Sequence, residues 1–351
     1  MHLHESAHNV IHYIFYRVKL KATQIMYNVS IVSVYRDQVW EGSEAVSFLK
    51  KHNCKVSLNY FKQAPMEDEL IGILNQADGL ITSSFPYSER VLSTVGRLKV
   101  IARTGVGFDA IDVDAATENG ICVTITPGAN SDSVADHVIG LMLSLARYIP
   151  RGDRDIRSGH WLPQVGIEVC RKTLGIIGLG SIGKCVARRG TGFEMKLLAY
   201  DLYQDTIFAA EHDIVYLPLD GLLAKSDFVS VHLPLLPETV GLLGERELKL
   251  MKPTAYLINT ARGGIVDEDS LIKVLRGGRI AGAGLDVFSV EPLDQSPLSS
   301  MDQVVLSPHV AGVTEESWAR MAFQSAENII QVFQEQKPFG LVNQQVFQDK
   351  R

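Results

Sequence analysis

The sequence predicts an α/β protein built on parallel sheets covered by helices on both faces. Three observations carry that expectation. Short apolar runs alternate with amphipathic, helix-length stretches along most of the chain, the pattern of repeated βα units with right-handed crossovers. At 173–183 an apolar run ends in glycines spaced G-x-G-x-x-G, and a helical pattern starts directly behind them. The 351 residues are more than one ordinary domain needs, so two domains are expected.

In chain order, 29–34 reads as a strand, 43–52 as a helix, 55–59 as a strand and 66–76 as a helix. Then come a strand at 79–81, a helix at 88–95, a strand at 98–102, a helix at 112–118 and a strand at 121–123. Pro127-Gly128 breaks the alternation. The stretch 131–148 carries Val134, Val138, Ile139, Leu141, Met142, Leu143 and Leu145. Apolar on most sides, it is expected to be a buried spine helix between two domains, stopped by Pro150. Residues 151–169 are polar, show no clear period and include Trp161, the composition of an arm that packs on another subunit. Strands at 173–177, 196–200, 214–216, 228–231, 255–258, 280–285 and 304–306 make a six- or seven-stranded doubly wound sheet, with a helix at 184–190 behind the glycines. Pro308 ends that sheet. In the last helix, 315–333, the stripe Trp318, Met321, Ala322, Ala326, Ile329, Ile330 and Phe333 is core packing.

The composition excludes several classes. Hydrophobic residues at 46% and charged residues at 21% are those of a soluble globular chain that can bury its core without disulfides or metals. A net charge of −6 argues against a general nucleic-acid or anionic-membrane surface, and no apolar stretch has the length of a membrane span. Cys54, Cys122, Cys170 and Cys185 form no C-x-x-C pair; free thiols, buried at 122 and 185, and a cytoplasmic setting are expected. Residues 1–27 carry His2, His4, His8 and His12. Three of these would share a helix face, but no carboxylate or cysteine cluster completes a metal site, so a poorly ordered extension and no metal are expected. Arg17, Lys19 and Lys21 follow the apolar run of that segment, the reverse of a signal peptide.

The glycine turn is where the chemistry starts. Gly178 allows the tight turn out of the strand, Gly180 lets a pyrophosphate approach the backbone, and Gly183 lets the helix pack closely on the strand. The N–H groups of the helix start, at Ser181, Ile182 and Gly183, face the phosphates. Asp201 ends the next strand, eighteen residues beyond Gly183, where a carboxylate accepts hydrogen bonds from both ribose hydroxyls of NAD and repels the 2′-phosphate of NADP. None of Leu202, Tyr203 and Gln204 is a cation that could welcome that phosphate. His232 is expected on the adenosine side, with Pro234 and Thr239 in the loop beyond it.

Ligands of open α/β sheets sit beyond the carboxyl ends of the strands. Three successive ends carry chemistry: Asn259-Thr260-Ala261-Arg262-Gly263-Gly264, then Asp286 and Glu291-Pro292, then Ser307-Pro308-His309-Val310-Ala311-Gly312. Arg262 offers a planar fork to a carboxylate. His309 suits proton transfer to a carbonyl oxygen near neutral pH. Glu291 can hold the other imidazole nitrogen and favour the charged ring. Asp286 could support the nicotinamide or the charge balance. Singly, each is as consistent with a loop histidine, a surface turn or a helix cap as with catalysis; jointly, at successive strand ends, they point to a site for hydride transfer.

With these motifs in place, the chain resembles the D-isomer-specific 2-hydroxyacid dehydrogenases. Further matching stretches are Arg103-Thr104-Gly105-Val106-Gly107-Phe108-Asp109, Thr126-Pro127-Gly128-Ala129-Asn130, Ser133-Val134-Ala135-Asp136-His137 and Leu285-Asp286-Val287-Phe288. The resemblance implies an NAD-binding Rossmann domain at 128–313 inserted into a flavodoxin-like substrate-binding domain at 28–127 and 314–351. It implies reduction of 2-oxo acids to D-2-hydroxy acids and a homodimer, expected to form through 130–169. It implies Arg262, Glu291 and His309 as catalytic residues. Gly105, Val106, Gly107 and Asn130 are expected to join Arg262 and His309 at the substrate, and Thr260, Ala261, Arg262, Asp286, His309 and Gly312 to line the NAD site. Within the family the chain is most similar to D-3-phosphoglycerate dehydrogenases, through 103–112 and Tyr200-Asp201-Leu202-Tyr203. It departs from them in ending at Arg351, short of the extra C-terminal regulatory domain that many of them carry, and in reading Ile81-Thr82-Ser83-Ser84-Phe85 where an arginine often holds the substrate phosphate. Arg90 or Arg103 could substitute. Asp136 replaces the usual glutamate and keeps its charge. Hydroxypyruvate or glyoxylate reduction is the alternative activity. A scaffold like the family's nucleotide-sensing corepressors is the alternative of another class; those carry a tryptophan where Gly312 stands here.

Overall fold

The computed structural model describes residues 26–34 and 40–348; the histidines of the 1–27 segment lie outside the described residues. The chain divides into two compact units. The first takes the described residues up to Arg103, Ala110–Thr124 and those from Ser325 on, and the second takes Thr104–Asp109 and Ile125–Gln324.

The first unit is a five-stranded parallel sheet of β1 (Tyr27–Ser33), β2 (Cys54–Tyr60), β3 (Gly79–Thr82), β4 (Val100–Arg103) and β5 (Cys122–Thr124). Its order, β2-β1-β3-β4-β5, is that of the flavodoxin-like sheets. Helices α1 (Glu44–Lys51), α2 (Glu67–Leu74), α3 (Glu89–Thr94) and α4 (Val113–Glu118) connect the strands. Ser43, Ser88 and Asp112 cap α1, α3 and α4, each accepting a hydrogen bond from a backbone N–H three residues on. Val32, Leu80, Ile101 and Val123 of the strands are buried against Leu70, Leu74, Val91 and Leu92 of the helices.

The second unit opens with α5 (Ser131–Arg147) and α6 (Ile149–Arg157). Its sheet holds β6 (Thr173–Ile177), β7 (Lys196–Tyr200), β8 (Val215–Tyr216), β9 (Phe228–Val231), β10 (Tyr256–Asn259), β11 (Gly282–Leu285) and β12 (Val304–Leu306). All pairs are parallel, in the order β12-β11-β10-β9-β6-β7-β8. The order reverses between β6 and β9, which puts a ligand crevice beyond the carboxyl ends of those two strands. Helices α7 (Ser181–Gly192), α8 (Thr206–Glu211), α9 (Leu219–Lys225), α10 (Glu245–Leu250) and α11 (Glu268–Arg276) follow. Alternate residues of β6 feed the two faces: Leu174 and Ile176 pack with Val138, Leu141 and Leu145 of α5, and Ile177 with Leu222, Leu248 and Leu271. Helix α12 (Glu315–Phe333) runs from the second unit into the first, and α13 (Gln345–Gln348) comes last.

Two expectations change. The 131–148 helix, expected as a spine between two domains, is assigned wholly to the second unit, where it packs on α7 and on β10 to β12. It is apolar on one side only; Asp132 and Asp136 on the other ion-pair with Arg189 of α7 at 3.2 and 2.6 Å. Second, Pro150 does not end helical structure. Tyr148 turns the chain through a left-handed conformation (φ 55), and α6 then starts with Pro150 in its first turn, where a missing N–H costs nothing.

Candidate active site

The glycine turn links β6 to α7. Gly178 has φ +96, closed to other residues at little cost, and a Cβ on Gly183 would strike the Gly178 carbonyl. Gly180 differs: a Cβ there would point into open space, and Gly180 and Ser181 are exposed. Helix α7 has no side-chain cap, so its first N–H groups are left for an anion. Asp201 is tied to this turn, one oxygen accepting from Leu179 N at 2.7 Å and the other from Tyr203 N at 2.9 Å. Lys184, the cation in the first turn of α7, is paired with Asp205 at 2.5 Å.

Beyond β9, His232 N donates to Ile177 O and its Nε2 lies 2.8 Å from Ser230 Oγ. The residue as a whole is half-buried, but its ring is surrounded by protein, and burial pushes its pKa down to about 3, so it stays neutral. The Thr239 hydroxyl closes its own loop, donating to Pro234 O at 2.7 Å and accepting from Leu236 N at 2.8 Å.

The turn beyond β10 is clamped by Asn259, whose side chain accepts from Ala261 N and donates to Arg262 O. Thr260 Oγ1 is buried with no hydrogen-bond partner among the described residues. Arg262 swings back onto the 104–109 loop. Its Nε donates to Asp109 Oδ1 at 2.9 Å and its Nη1 to Ala261 O at 2.7 Å. The other amino group occupies the space a side chain at position 107 would need, which explains Gly107. Gly105, at φ 139, is held by Thr126, which exchanges hydrogen bonds with its N–H and carbonyl. Val106 lies half-buried between them.

His309 Nδ1 lies 2.7 Å from Glu291 Oε2, and Phe288 N donates to Glu291 Oε1 at 3.0 Å. Burial pushes the Glu291 carboxyl up, but the His309 hydrogen bond and charge, the Phe288 N–H and the Arg262 charge together hold it below the ordinary glutamate range. An ionised Glu291 is acceptor only, so Nδ1 carries a proton and Nε2 is the nitrogen left for a substrate. His309 itself has φ 52, in the left-handed region.

Asp286 holds that loop. It is completely buried; its carboxylate accepts from Ser307 Oγ (2.7 Å), Val310 N (2.9 Å) and Ala311 N (2.8 Å), and its carbonyl accepts from His309 N (2.8 Å). The Ser307 hydroxyl gives its proton to Asp286, so at 2.8 Å it must accept one from His137 Nε2. Asp286, expected to support the nicotinamide or the charge balance, thus holds the histidine loop. Asn130 Oδ1 is buried with no partner among the described residues, and its amide lies where a Cβ on Gly312 would fall, 2.7 Å away. A side chain at 312 would displace the Asn130 amide.

Arg262, Glu291 and His309 are therefore grouped by the structure, as Glu291 contacts His309 and feels the Arg262 charge. Asp109, Thr126, Asn259 and Ser307, which the motif reading did not single out, hold them in place. All four stand inside the motifs that carry the resemblance, the one signal that could have pointed to them. An open glycine turn, an uncapped helix start, Asp201 beside them and the orphaned Thr260 hydroxyl fit a dinucleotide such as NAD. No group of three or more metal-ligating side chains occurs among the described residues.

A model of the NAD-binding domain of D-isomer-specific 2-hydroxyacid dehydrogenases matches residues 139–311. The glyoxylate reductase of Korarchaeum cryptofilum (strain OPF8) is 42% identical over 290 residues, 80% of this chain and 87% of that protein. The D-3-phosphoglycerate dehydrogenase of Mycobacterium tuberculosis (strain ATCC 25618 / H37Rv) is also 42% identical, over 268 residues, but this chain spans only 51% of its length. Among solved structures, a glyoxylate reductase from Paecilomyes thermophila superposes with a TM-score of 0.79 at 31% identity, over 91% of this chain and 99% of that one. The chain belongs to the D-isomer-specific 2-hydroxyacid dehydrogenase family and is an NAD-dependent oxidoreductase of that family.

Proposed function

We propose that the chain reduces a small 2-oxo acid of the glyoxylate and hydroxypyruvate type, using NADH. The observation that carries the site is the Glu291–His309 pair beside Arg262. Arg262, with Nε and one Nη1 proton committed to Asp109 and Ala261, keeps its outer N–H groups for the substrate carboxylate. Glu291 fixes the imidazole so that Nε2–H donates to the carbonyl oxygen, giving the product hydroxyl its proton. NADH supplies the hydride when bound. Asp201 favours it over NADPH, because the nearby cation Lys184 is already paired.

Two observations favour the small substrate over phosphoglycerate, the first expectation. Relatives that this chain spans almost end to end carry the glyoxylate reductase name. Arg90, a candidate for holding a phosphate, is committed to Glu67 at 2.7 Å and Asp68 at 2.5 Å. Arg103 remains, donating to Ser84 at 3.0 Å. The test is kcat/KM with NADH for glyoxylate, hydroxypyruvate and 3-phosphohydroxypyruvate. A preference for the phosphorylated acid overturns the reading in favour of phosphoglycerate dehydrogenase.

The same reading takes the enzyme as a cytoplasmic homodimer. Trp161, Leu162 and Val165 are 83%, 55% and 94% exposed, an apolar arm suited to a second copy. A monomer in sedimentation at micromolar concentration would overturn this assembly.

A further inference from the structure

We propose that His137 is a positioning residue for the proton transfer: through Ser307 and Asp286 it holds the loop that carries His309, so that helix α5 braces the site from behind. The inference rests on the reading above, that His309 gives a proton to the substrate carbonyl oxygen.

The 307–314 loop leaves β12 and is gripped by α5 at both ends. His137 Nε2 lies 2.8 Å from Ser307 Oγ at the entry, and Ser133 Oγ lies 3.0 Å from Thr314 Oγ1 at the exit. His309 stands between the two grips. Helix α5 is a firm base for them, because its Val134, Val138 and Leu141 are buried with Leu174 and Ile176 of β6. The His137 ring has no other hydrogen-bond partner among the described residues, so of the protein groups Ser307 alone chooses which ring nitrogen carries the proton. Ser307 has one proton to give. Given to His137, it would be lost to Asp286. With the proton on His137 Nε2, His137 donates to Ser307 and Ser307 donates to Asp286 at 2.7 Å. Asp286 then accepts from Val310 N and Ala311 N, the two residues that follow His309. A second contact works in the same direction. His137 Nε2 is 3.6 Å from Asp286 Oδ1, and no other basic side chain pairs with that buried carboxylate among the described residues. Removing His137 therefore takes away both the donor that orients the Ser307 hydroxyl and the one basic group facing Asp286. The grip on 310 and 311 loosens, and His309 loses its alignment with the carbonyl oxygen.

The experiment uses whichever of glyoxylate, hydroxypyruvate and 3-phosphohydroxypyruvate wild type reduces best. It measures kcat, the KM of that acid and NADH binding by fluorescence for wild type, His137→Leu, His137→Gln, Ser307→Ala and the double variant His137→Leu with Ser307→Ala. His137→Leu should lower kcat about tenfold and change the KM and the NADH Kd by less than about threefold, because alignment is lost and the binding groups stay. Glutamine carries an amide N–H near the reach of Nε2, so His137→Gln should regain most of the loss. Ser307→Ala should lose about as much as His137→Leu, and the double variant no more than either, since the two residues act along one path. A near-normal kcat in either single variant, a loss carried by the KM or the NADH Kd, a loss that glutamine does not recover, or losses that multiply in the double variant would make His137 an ordinary helix-face residue and overturn the inference. Those results leave the proposed function standing, since wild type still turns over. A wild type that reduces none of the three acids overturns both.

Discussion

Asp78 and Asp286 are both buried carboxylates that accept from the backbone N–H of a neighbouring segment, yet they stand at opposite ends of their strands. Asp78 precedes β3; it accepts from Asn28 N at 2.7 Å and from both Arg97 Nε and Nη2 at 2.9 Å. Asp286 follows β11 and takes the Ser307, Val310 and Ala311 protons. In parallel α/β sheets the carboxyl ends face ligands and the amino ends do not. The same device thus stitches a sheet together at one place and aims His309 at another. Strand direction, more than the local chemistry of the carboxylate, decides which task it performs.

That comparison can be tested by mutation. His309→Ala removes the proposed proton donor and leaves the Asp286 tether intact; kcat should fall by about 10²–10⁴ while NADH still binds in a fluorescence titration. A near-normal kcat would mean that Asp286 aims nothing. Asp286→Asn turns an amide donor towards backbone N–H groups that need acceptors, so the loop shifts and kcat should fall by about 10- to 100-fold in steady-state assays. Asp201→Ala tests a third loop-holding carboxylate at a strand end. It should lose about tenfold in kcat/KM for NADH and much less for NADPH, because one charged hydrogen bond to ribose goes.

Asp78→Asn should leave kcat alone and lower stability by about 2 kcal/mol in urea unfolding. Burial pushes the Asp78 carboxyl up, but Arg97 and the Asn28 N–H hold it below the ordinary range. A depressed carboxyl stabilises the fold fully above its unfolded pKa, and that contribution is lost as pH falls through the folded value. Wild type should therefore lose more stability than Asp78→Asn on acidification below about pH 4. A drop in kcat for Asp78→Asn as large as that for Asp286→Asn would end the distinction.

Much of this was legible in the sequence. The β6 glycines, Asp201 and the three polar strand ends are local patterns, and local patterns survive without coordinates. Helix starts were legible for the same reason, since Ser43, Ser88 and Asp112 sit in sequence beside the N–H groups they cap. The supports of the site were not. Asp109 meets Arg262 across 153 positions, and His137 meets Ser307 across 170, so no spacing rule could pair them. Helix α6 was hidden because a left-handed residue at Tyr148 interrupts the period and Pro150 reads first as a stop.

The backbone of His309 has a wider consequence. A histidine at φ 52 sits where glycine sits more easily, at a cost of about 1 kcal/mol, although histidine tolerates that region better than most side chains. Stability and turnover therefore pull this position in opposite directions. His309→Asn should melt no lower than wild type by calorimetry, even though its turnover collapses. Among variants selected for heat resistance alone, nothing in the backbone would hold a histidine here against glycine, while selection for activity would keep the proposed proton donor in a conformation that the rest of the loop must enforce.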